Sequence, residues 1–293
     1  MRKSVGIVGV GLMGHGIAYN LVTKGYHVSL LDHAGNQPLA ELTAGGAKVY
    51  ATPCEVAQQS DVIIICVTGA PQVEEVVAAE RGLLEGLRQG AVIIDCSTSL
   101  PETSEKLAPA IRERGGNLLD APITRLAKDS RAGRLNLLVG GDLQVLESVR
   151  DVLDAFTENI TLVGRLGDGH RMKLLHNFVS VGFMTLLAEA AAHANAQRVD
   201  MKAFVNILAT GGGASTALQR LSPYMLERDA QSVPYSITNA AKDIAYYLEM
   251  AAQSDAASEV ARGVASTLQR AAQDHAQSYL PELIELLSKN RDE

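Results

Sequence analysis

The feature that most constrains the fold lies near the start of the chain, where a short apolar strand runs into a glycine-rich turn. Residues 4–8 are followed by Gly9-x-Gly11-x-x-Gly14 and then by a helix-forming segment at 16–24. A second apolar strand, at 27–32, ends in an acid. Glycines alone are a weak signal, since they often mark only a turn. Strand, glycine turn, helix, strand and terminal acid in this order predict a dinucleotide-binding fold.

Each glycine of this turn has its own physical role. Gly9 permits the tight turn, Gly11 lets the backbone approach a pyrophosphate, and Gly14 lets helix and strand pack closely. The pyrophosphate is expected at the helix N-terminus, where free N–H groups and the helix dipole favour an anion. The predicted cofactor contacts in this turn are Gly9, Val10, Gly11, Leu12, Met13 and Gly14.

The acid that ends the second strand is Asp32, eighteen residues after Gly14. It is expected to accept hydrogen bonds from the adenosine ribose hydroxyls. A 2′-phosphate there would meet like charge, and residues 33–36 supply no arginine to offset it. A protonated His33 would offset this repulsion only in part. The sequence therefore predicts NAD as cofactor in preference to NADP.

The chain changes character near its midpoint, from alternating strands and helices to helices alone. The segment at 61–67 is continuously apolar after Asp61, as in a parallel strand covered on both faces, and 91–95 is predicted as the next strand. Helical patterns then cover 168–197, 201–208, 217–228, 236–253, 256–272 and 281–289. We predict an α/β fold with a Rossmann-type, doubly wound, mostly parallel sheet, followed by an all-α C-terminal domain. The predicted domains are residues 1–166, for the dinucleotide, and residues 167–293, for substrate binding and dimerisation.

The first helix after the change, 168–197, contains no proline. Apolar residues recur along it at spacings of three and four, namely Met172, Leu175, Val179, Phe183 and Leu186. Three more, Leu174, Phe178 and Val181, widen the apolar surface beyond one stripe, which suits a helix buried on several sides. Lys173 and Asn177 are four residues apart and project from one face. Spacing alone leaves two interpretations open, a catalytic pair and a solvated first turn.

Composition argues against several other classes of protein. The net charge is −7, with no basic stripe and 4% aromatic residues, so nucleic acid is not an expected partner. No apolar run approaches the ~18 residues of a membrane span, and nothing at the N-terminus resembles a signal peptide. Cys54, Cys66 and Cys96 lack metal-like spacing and are expected to be reduced thiols of a cytoplasmic protein. His170 and His176 do not share a helix face, so we expect no metal site.

Six short motifs follow one another along essentially the whole chain. They are Gly6-Ile-Val-Gly-Val-Gly-Leu-Met-Gly14, Asp95-Cys-Ser-Thr98 with Pro101, Asp120-Ala-Pro122, Gly133 with Gly140-Gly141, Gly167-x-Gly-x-x-x-Lys173-x-x-x-Asn177 and Lys242-Asp243. In this order they resemble the β-hydroxyacid dehydrogenases, a family that includes 3-hydroxyisobutyrate dehydrogenase, tartronate semialdehyde reductase and sulfolactaldehyde reductase.

The resemblance implies roles for individual residues. It implies Lys173 as the catalytic acid/base and Asn177 as its partner in holding the substrate. The implied contacts with the nicotinamide half of the cofactor are Val67, Thr68, Thr98 and Lys242. The implied substrate contacts are Ser97, Thr124, Arg125, Lys173 and Asn177.

One departure from the family bears on the substrate. Where the family usually has Ser-Gly-Gly after Asp-Ala-Pro-Val, this chain has Thr124-Arg125-Leu126. Sulfolactaldehyde reductases resemble it in carrying an arginine at the position of Arg125, and a guanidinium can hold carboxylate or sulfonate oxygens through paired N–H bonds. The other interpretation is a surface arginine, since the neighbouring segment carries further cationic residues.

The function implied by the resemblance is an NAD-dependent interconversion of a small 3-hydroxy acid and its semialdehyde by hydride transfer. Neutral Lys173 would take the hydroxyl proton in oxidation, and its ammonium form would return that proton in reduction. This requires a lysine pKa lowered towards neutrality. The alternatives are a tartronate semialdehyde or sulfolactaldehyde reductase working mainly in reduction, a non-catalytic NAD-binding module, and an imine reductase, which normally lacks the lysine. A small anionic substrate and a homodimer or homotetramer are expected.

Overall fold

The computed structural model describes residues 2–288 and divides into two compact units. The first unit ends at Lys173 and the second begins at Leu174. This division falls inside one long helix, Asp168–Ala196. Residues 289–293, which end the last predicted helix (281–289) and the predicted second domain, lie outside the described residues.

The first unit is built on a nine-stranded sheet. Its strands are β1 (Ser4–Val8), β2 (His27–Leu31), β3 (Lys48–Tyr50), β4 (Val62–Ile65), β5 (Val92–Asp95), β6 (Asn117–Asp120), β7 (Ile123–Thr124), β8 (Leu135–Gly140) and β9 (Thr157–Gly164). The order is β3-β2-β1-β4-β5-β6-β8-β7, and β9 pairs with β8. The first six strands pair in parallel, β8 is antiparallel to β6 and β7, and β9 is parallel to β8. The predicted Rossmann-type, mostly parallel sheet is confirmed.

Within residues 2–173, eight shorter helices connect these strands. They are α1 (Leu12–Thr23), α2 (Ala40–Ala44), α3 (Pro53–Gln58), α4 (Ala70–Ala78), α5 (Leu83–Gly86), α6 (Pro101–Glu113), α7 (Ala127–Arg131) and α8 (Leu143–Leu153). Helix α1 begins at Leu12, four residues before the predicted start at 16, because the glycine turn passes directly into the helix. Helices α2, α4, α5 and α7 have only four to nine residues, too few for a helical period to stand out in the sequence.

Apolar side chains cover both faces of the central strands. Successive side chains along a strand point to opposite faces. Accordingly, Ile64 and Ile94 belong to one core, whereas Ile63, Ile65 and Ile93 belong to another. All five are fully buried. This arrangement explains why β4 is apolar throughout and β5 is apolar up to its last residue, Asp95.

The described part of the second unit is helical, as predicted. It contains most of α9 (Asp168–Ala196), then α10 (Met201–Thr210), α11 (Thr216–Glu227), α12 (Ile237–Ala251), α13 (Glu259–Asp274) and α14 (Leu283–Ser288), with 3-10 turns at Ala230–Ser232 and Leu280–Glu282. Helices α10, α11 and α12 begin at capping residues whose side-chain oxygens accept backbone N–H groups of the first turn. The capping residues are Asp200, Ser215 and Ser236.

The apolar surface of α9 has a buried side and an exposed side. Val181, Met184 and Leu187 lie in the core of the second unit. The residues that recur at spacings of three and four are instead exposed, from 42% for Met172 to 64% for Leu186. They are Met172, Leu175, Val179, Phe183 and Leu186. The expectation that α9 is buried on several sides is therefore wrong for this face of the single chain.

Helix α9 also bears on the question of a membrane span. By length and composition alone it could cross a membrane, and 44% of its most apolar window is buried. The core helix of a globular domain meets the same criterion. The side that packs with Leu221 of α11 and Ile244 of α12 is typical of such a core helix.

The cysteines are free thiols. Cys96, at the end of β5, is buried, and burial raises the pKa of its thiol well above the usual value. Because the thiolate is the reactive form of cysteine, this thiol is inert at neutral pH.

Candidate active site

The turn between β1 and α1 is packed so tightly that two of its positions have no room for a side chain. Gly9 has a φ of +95°, a conformation that favours glycine. A Cβ at Gly9 would lie 2.3 Å from the Cys66 carbonyl oxygen, and a Cβ at Gly14 would lie 2.0 Å from the Gly9 carbonyl oxygen. Glycine is therefore required at both positions by the fold itself.

Gly11, by contrast, is not required by the packing of the protein. Its φ of −74° is ordinary, and a Cβ there would meet nothing within 4 Å. Helix α1 begins at the next residue without a side-chain cap, so N–H groups of its first turn are available to an anion. Open space against these donors fits the pyrophosphate of a dinucleotide.

The position of this turn in the sheet also suits a dinucleotide. The strand order reverses between β1 and β4, and ligands of open α/β sheets bind at the carboxyl ends of strands at such a reversal. The glycine turn follows β1, and Val67 and Thr68 follow β4 after one further residue. Val67 is half-buried and Thr68 is exposed.

The residues after β2 form the expected adenosine side of this edge. Asp32 is exposed, and its backbone N–H donates to the Tyr50 carbonyl at 2.8 Å. Asn36 joins the ends of β1 and β2, since its Oδ1 accepts from the Val10 N–H at 3.2 Å and its Nδ2 donates to the Leu31 carbonyl at 2.9 Å. Asn36 has no sequence signal of its own, because its role depends on two strands coming together.

His33 has a defined hydrogen-bonding role next to Asp32. Its Nδ1 accepts the Gly35 backbone N–H at 3.0 Å. This contact turns Nδ1 towards the backbone of its own turn.

The carboxyl ends of β4 and β5 are joined by hydrogen bonds around Ser97. The Ser97 N–H donates to Asp95 Oδ1 at 2.9 Å, and the Ser97 Oγ accepts from the Val67 N–H at 3.0 Å. Asp95 and Ser97 are buried, and Thr98 is half-buried. The predicted cofactor residue Val67 and the predicted substrate residue Ser97 therefore lie in direct contact.

Asp120, at the end of β6, caps the start of α9. Its Oδ1 accepts from the Gly167 N–H at 2.7 Å and its Oδ2 accepts from the His170 N–H at 2.8 Å. Burial raises the pKa of the Asp120 carboxyl, while His170 and these N–H donors act in the opposite direction. A Cβ at Gly140 would lie 2.4 Å from Asp120 Oδ1, and one at Gly169 would lie 2.7 Å from Oδ2. Three separate sequence motifs thus meet at one carboxylate, which fixes the first turn of α9.

Lys173 lies on the second turn of α9, directly after this capped segment. Its Nζ donates to the Ile123 carbonyl at 2.6 Å, and the side chain is half-buried. Ile123 belongs to β7, which continues the chain from β6. Thr124, the next residue, is buried. The structure therefore places Lys173 beside Thr124, one of the predicted substrate residues.

Arg125 occupies an unusual backbone conformation. Its φ is +86°, a region that non-glycine residues rarely adopt. The family that the sequence motifs resemble usually has glycine at this position, and glycine adopts a positive φ without steric cost. The guanidinium pairs with the carboxylate of Glu158 on β9, and the side chain is 27% exposed. Substrate contact by Arg125 stays a prediction, since in this structure its guanidinium is held by Glu158.

In the second unit, Asn177 belongs to a buried cluster around Asp243. Asn177 Nδ2 and the Tyr235 hydroxyl each donate to Asp243 Oδ2 at 2.6 Å. Lys242 Nζ lies 2.8 Å from Asp243 Oδ1, which is ion-pair distance, although the approach is not aligned as a hydrogen bond. Burial raises the pKa of Tyr235 well above its usual value, so the phenol remains a donor.

This cluster fixes the orientation of the Asn177 amide. A carboxylate only accepts hydrogen bonds, so the NH₂ group must face Asp243. The amide oxygen then lies on the other side, 3.0 Å from His176 Nδ1. The sequence names Lys242 and Asn177 as site residues but not Tyr235, and Asp243 only as part of a family motif. Within residues 2–288, no group of three or more acidic, histidine or cysteine side chains could hold a metal ion.

Comparison with known proteins matches both parts of the chain to known families. Residues 4–164 match a family model described as the NAD binding domain of 6-phosphogluconate dehydrogenase. Residues 167–286 match a model described as NAD-binding of NADP-dependent 3-hydroxyisobutyrate dehydrogenase. Among solved structures, 3-hydroxyisobutyrate dehydrogenase of Mycobacterium tuberculosis has a TM-score of 0.86 at 23% identity, over 99% of this chain and 100% of that one. This last similarity shows a shared fold.

Two relatives named as oxidoreductases are more similar in sequence. The NAD-dependent L-serine dehydrogenase of Pseudomonas aeruginosa is 31% identical, over 92% of this chain and 91% of the relative. The 2-hydroxy-3-oxopropionate reductase of Escherichia coli is 32% identical, over 76% of each chain. The chain therefore belongs to the β-hydroxyacid dehydrogenase family of NAD(P)-dependent oxidoreductases. The resemblance drawn from the sequence motifs is confirmed, and with it the enzyme class and the nicotinamide cofactor.

Proposed function

We propose that this enzyme interconverts a small 3-hydroxy acid and the matching semialdehyde, with Lys173 as the acid/base. The observation that carries the proposal is the placement of the Lys173 Nζ, 2.6 Å from the Ile123 carbonyl and next to buried Thr124. An amine held at the carboxyl edge of a dinucleotide-binding sheet is placed to exchange a proton with a substrate hydroxyl. The relatives that act on L-serine and on 2-hydroxy-3-oxopropionate support this substrate class.

Bound NAD would supply the hydride acceptor for oxidation, and as NADH the hydride donor for reduction. The residues that would hold it are the glycine turn at 9–14, Asp32 at the ribose, the edge residues Val67, Thr68 and Thr98, and Lys242. The open space at Gly11 and the uncapped start of α1 fit its pyrophosphate.

The remaining site residues are assigned to substrate binding. Lys173 takes the hydroxyl proton when neutral and returns it when charged. Asn177 follows it by one turn of α9, and its amide, oriented by Asp243, adds a hydrogen bond without adding charge. Ser97 and Thr124 face the acid group of the substrate, and Arg125 pairs with that group after leaving Glu158.

A reductive role is the second candidate, because a relative named as a reductase is as similar as the dehydrogenase. In that direction Lys173 donates its proton to the aldehyde oxygen as the alcohol forms. A sulfonate in place of the carboxylate would make the enzyme a sulfolactaldehyde reductase, and Arg125 suits either anion. A non-catalytic NAD-binding module would have no use for a lysine and an amide held in this way.

The experiment is a screen by NADH absorbance in both directions. Oxidation is tested with 3-hydroxyisobutyrate, L-serine, glycerate and the hydroxy-sulfonate counterpart of sulfolactaldehyde, and reduction with the matching aldehydes. We expect turnover with at least one pair, abolished in Lys173→Met. A protein that binds NAD but turns over no pair would be a binding module, and the proposal would be wrong.

Cofactor preference is tested separately. We expect kcat/KM with NAD to exceed that with NADP, because Asp32 repels a 2′-phosphate. Replacing Asp32 by serine and His33 by arginine should move this ratio towards NADP. A wild-type preference for NADP would contradict the role given to Asp32.

We further propose residues 1–166 as the cofactor domain and 167–293 as the substrate and dimerisation domain, in a cytoplasmic homodimer or homotetramer. The apolar residues exposed along α9 support self-association, since a monomer rarely leaves so continuous an apolar stripe in water. Light scattering on the purified protein measures the number of subunits. A monomer at micromolar concentration would contradict this part.

A further inference from the structure

His170 is a completely buried histidine that the proposed mechanism does not use. It lies three residues before Lys173 on the first turn of α9, and its side chain is 0% exposed. Its Nε2 is 3.2 Å from Asp95 Oδ2. Residues three apart on a helix are neighbours on its surface. The histidine therefore joins the helix segment that carries Lys173 to the end of β5.

The hydrogen bonds around this ring identify its tautomer. Asp95 can only accept, so Nε2 carries the proton that lies between them. Nδ1 has no protein partner among residues 2–288. An N–H at Nδ1 would be a buried donor without an acceptor, which is unfavourable. The Nε2–H is therefore assigned to Asp95, and the ring serves as a hydrogen-bond donor to that carboxylate.

From Asp95 the contacts continue to the loops at the sheet edge. The other carboxylate oxygen of Asp95 accepts from the Ser97 N–H at 2.9 Å, and the Ser97 Oγ accepts from the Val67 N–H at 3.0 Å. His170, Asp95, Ser97 and Val67 thus form one connected series. The series begins on α9, the helix that carries Lys173. It ends at Ser97 and Val67, which are assigned to substrate and cofactor binding.

We propose that His170 is a positioning residue, which fixes Lys173 relative to the loops of Val67 and Ser97 through its hydrogen bond to Asp95. This inference rests on the proposed function, because it assigns a role relative to Lys173. Proton and hydride transfer both need reacting atoms held within a few tenths of an ångström. A misplacement of about 1 Å can lower a rate ~10²-fold.

The capping contact and the positioning contact can be separated by substitution. Asp120 caps α9 through the backbone N–H groups of Gly167 and His170, and these remain whatever side chain stands at 170. Only the bond to Asp95 depends on the imidazole. A change at 170 therefore tests the position of Lys173 without removing the cap of its helix.

The experiment compares three variants at this position on the substrate pair found by the screen. His170→Gln keeps an N–H at about the reach of Nε2, His170→Met has similar size without a donor, and His170→Asn has a donor too short to reach Asp95. His193→Met is the matched control, because His193 is exposed on the same helix. The measurements are kcat, KM, the NAD dissociation constant, the pH profile, and the isotope effect with substrate deuterated at the reacting carbon.

We expect His170→Met and His170→Asn to lower kcat by roughly ten- to a hundredfold, with KM and NAD binding within about threefold of wild type. The isotope effect on kcat should rise as hydride transfer becomes limiting. His170→Gln and His193→Met should retain kcat within about threefold. The asparagine variant serves if the methionine variant fails to fold.

Three results would overturn the inference. A folded Met or Asn variant with wild-type kcat would show that the bond to Asp95 does not position Lys173. A Gln variant as impaired as Met would show that the donor is not what matters. Loss of an inflection from the pH profile of the Gln variant would show that His170 titrates during turnover. An inactive wild-type protein would instead refute the proposed function itself.

Discussion

The glycine turn of the first unit and the Asp243 cluster of the second are built in opposite ways. The turn is made of backbone, and a Cβ at Gly9 or Gly14 would collide with a carbonyl oxygen. The cluster is made of side chains, with an amide and a phenol both donating to one carboxylate. The first excludes atoms, whereas the second depends on particular atoms being present.

The two constructions therefore fail in different ways. In the turn, any added carbon disturbs the packing, whatever its chemistry. In the cluster, size can be kept while a hydrogen bond is lost, and the buried partners are then left unpaired. Lys173 and Gly11 form a third case, because the role proposed for each concerns a ligand rather than the fold. The following four predictions test the distinction, from the largest expected effect to the smallest.

Lys173→Met should fold normally and bind NAD, yet lose roughly 10²–10⁴-fold in turnover, the usual contribution of a proton-transfer group. The side chain is partly exposed and contacts the Ile123 carbonyl through its own amine, so we expect the fold to tolerate its replacement. Steady-state kinetics and NAD titration measure the two properties separately. Turnover within a factor of about three of wild type would contradict the assignment.

Gly14→Ala and Gly11→Ala should separate the fold from the ligand within one turn. A Cβ at Gly14 would lie 2.0 Å from the Gly9 carbonyl oxygen, so this change should lower the free energy of unfolding by about 1–3 kcal/mol. A Cβ at Gly11 meets nothing within 4 Å. Gly11→Ala should leave stability unchanged and weaken NAD binding roughly ten- to a hundredfold, by keeping the pyrophosphate from the N–H donors of the first turn of α1.

Thermal unfolding and calorimetric NAD titration of both glycine variants provide the measurement. Equal loss of stability in the two variants would mean that the space at Gly11 is not open in solution. Unchanged NAD affinity in Gly11→Ala would place the pyrophosphate elsewhere.

Asp243→Leu should lower kcat/KM more than Asp243→Asn does. Leucine has a similar size but leaves the Asn177 amide and the Tyr235 hydroxyl without their acceptor, each worth about 1–3 kcal/mol. Asparagine can place its oxygen at the position of Oδ2 and keep both bonds. We expect kcat/KM to fall about tenfold or more in the leucine variant and less in the asparagine variant. Equal loss in both would indicate that the charge beside Lys242 matters, rather than the acceptor.

Arg125→Ala and Arg125→Gly should lower kcat/KM about tenfold for acidic substrates and little for neutral analogues, since a partly exposed ion pair is weakened by solvent. Both changes remove the guanidinium. Glycine adopts a φ of +86° without strain, whereas alanine does not. Arg125→Gly should therefore be more stable than Arg125→Ala by roughly 1 kcal/mol. Equal effects on acidic and neutral substrates would show that Arg125 only pairs with Glu158.

Much of the first unit could be predicted from the sequence because its rules are local. The glycine spacing at 9–14 and the apolar runs of β4 and β5 each reflect neighbours along the chain. The start of α1 was misplaced by four residues, since glycine is a poor helix former and its neighbours decide whether it is tolerated. The positive φ of Arg125 could not be predicted from this sequence. Glycine would have indicated such a conformation, but the glycine belongs to the family's pattern and this chain has arginine instead.

The second unit shows the limit of periodic patterns. Spacing identifies α9 and its apolar residues, but two apolar sides run along this helix, and spacing does not say which of them packs inside the chain. The structure buries Val181, Met184 and Leu187 and leaves Val179 and Phe183 exposed. That choice depends on the helices that arrive later in the chain and cover one side.

By itself the sequence determined the fold class, the dinucleotide turn and the helical position of Lys173, because strand alternation, helical period and glycine sterics act over a few residues. Only the tertiary structure decided which side chains hold these elements in place. Asp120 meets Gly167 across 47 residues, Asn177 meets Asp243 across 66, and Asp95 meets His170 across 75. No local pattern encodes such pairs, since a buried carboxylate is stabilised by whichever donors the completed fold brings to it.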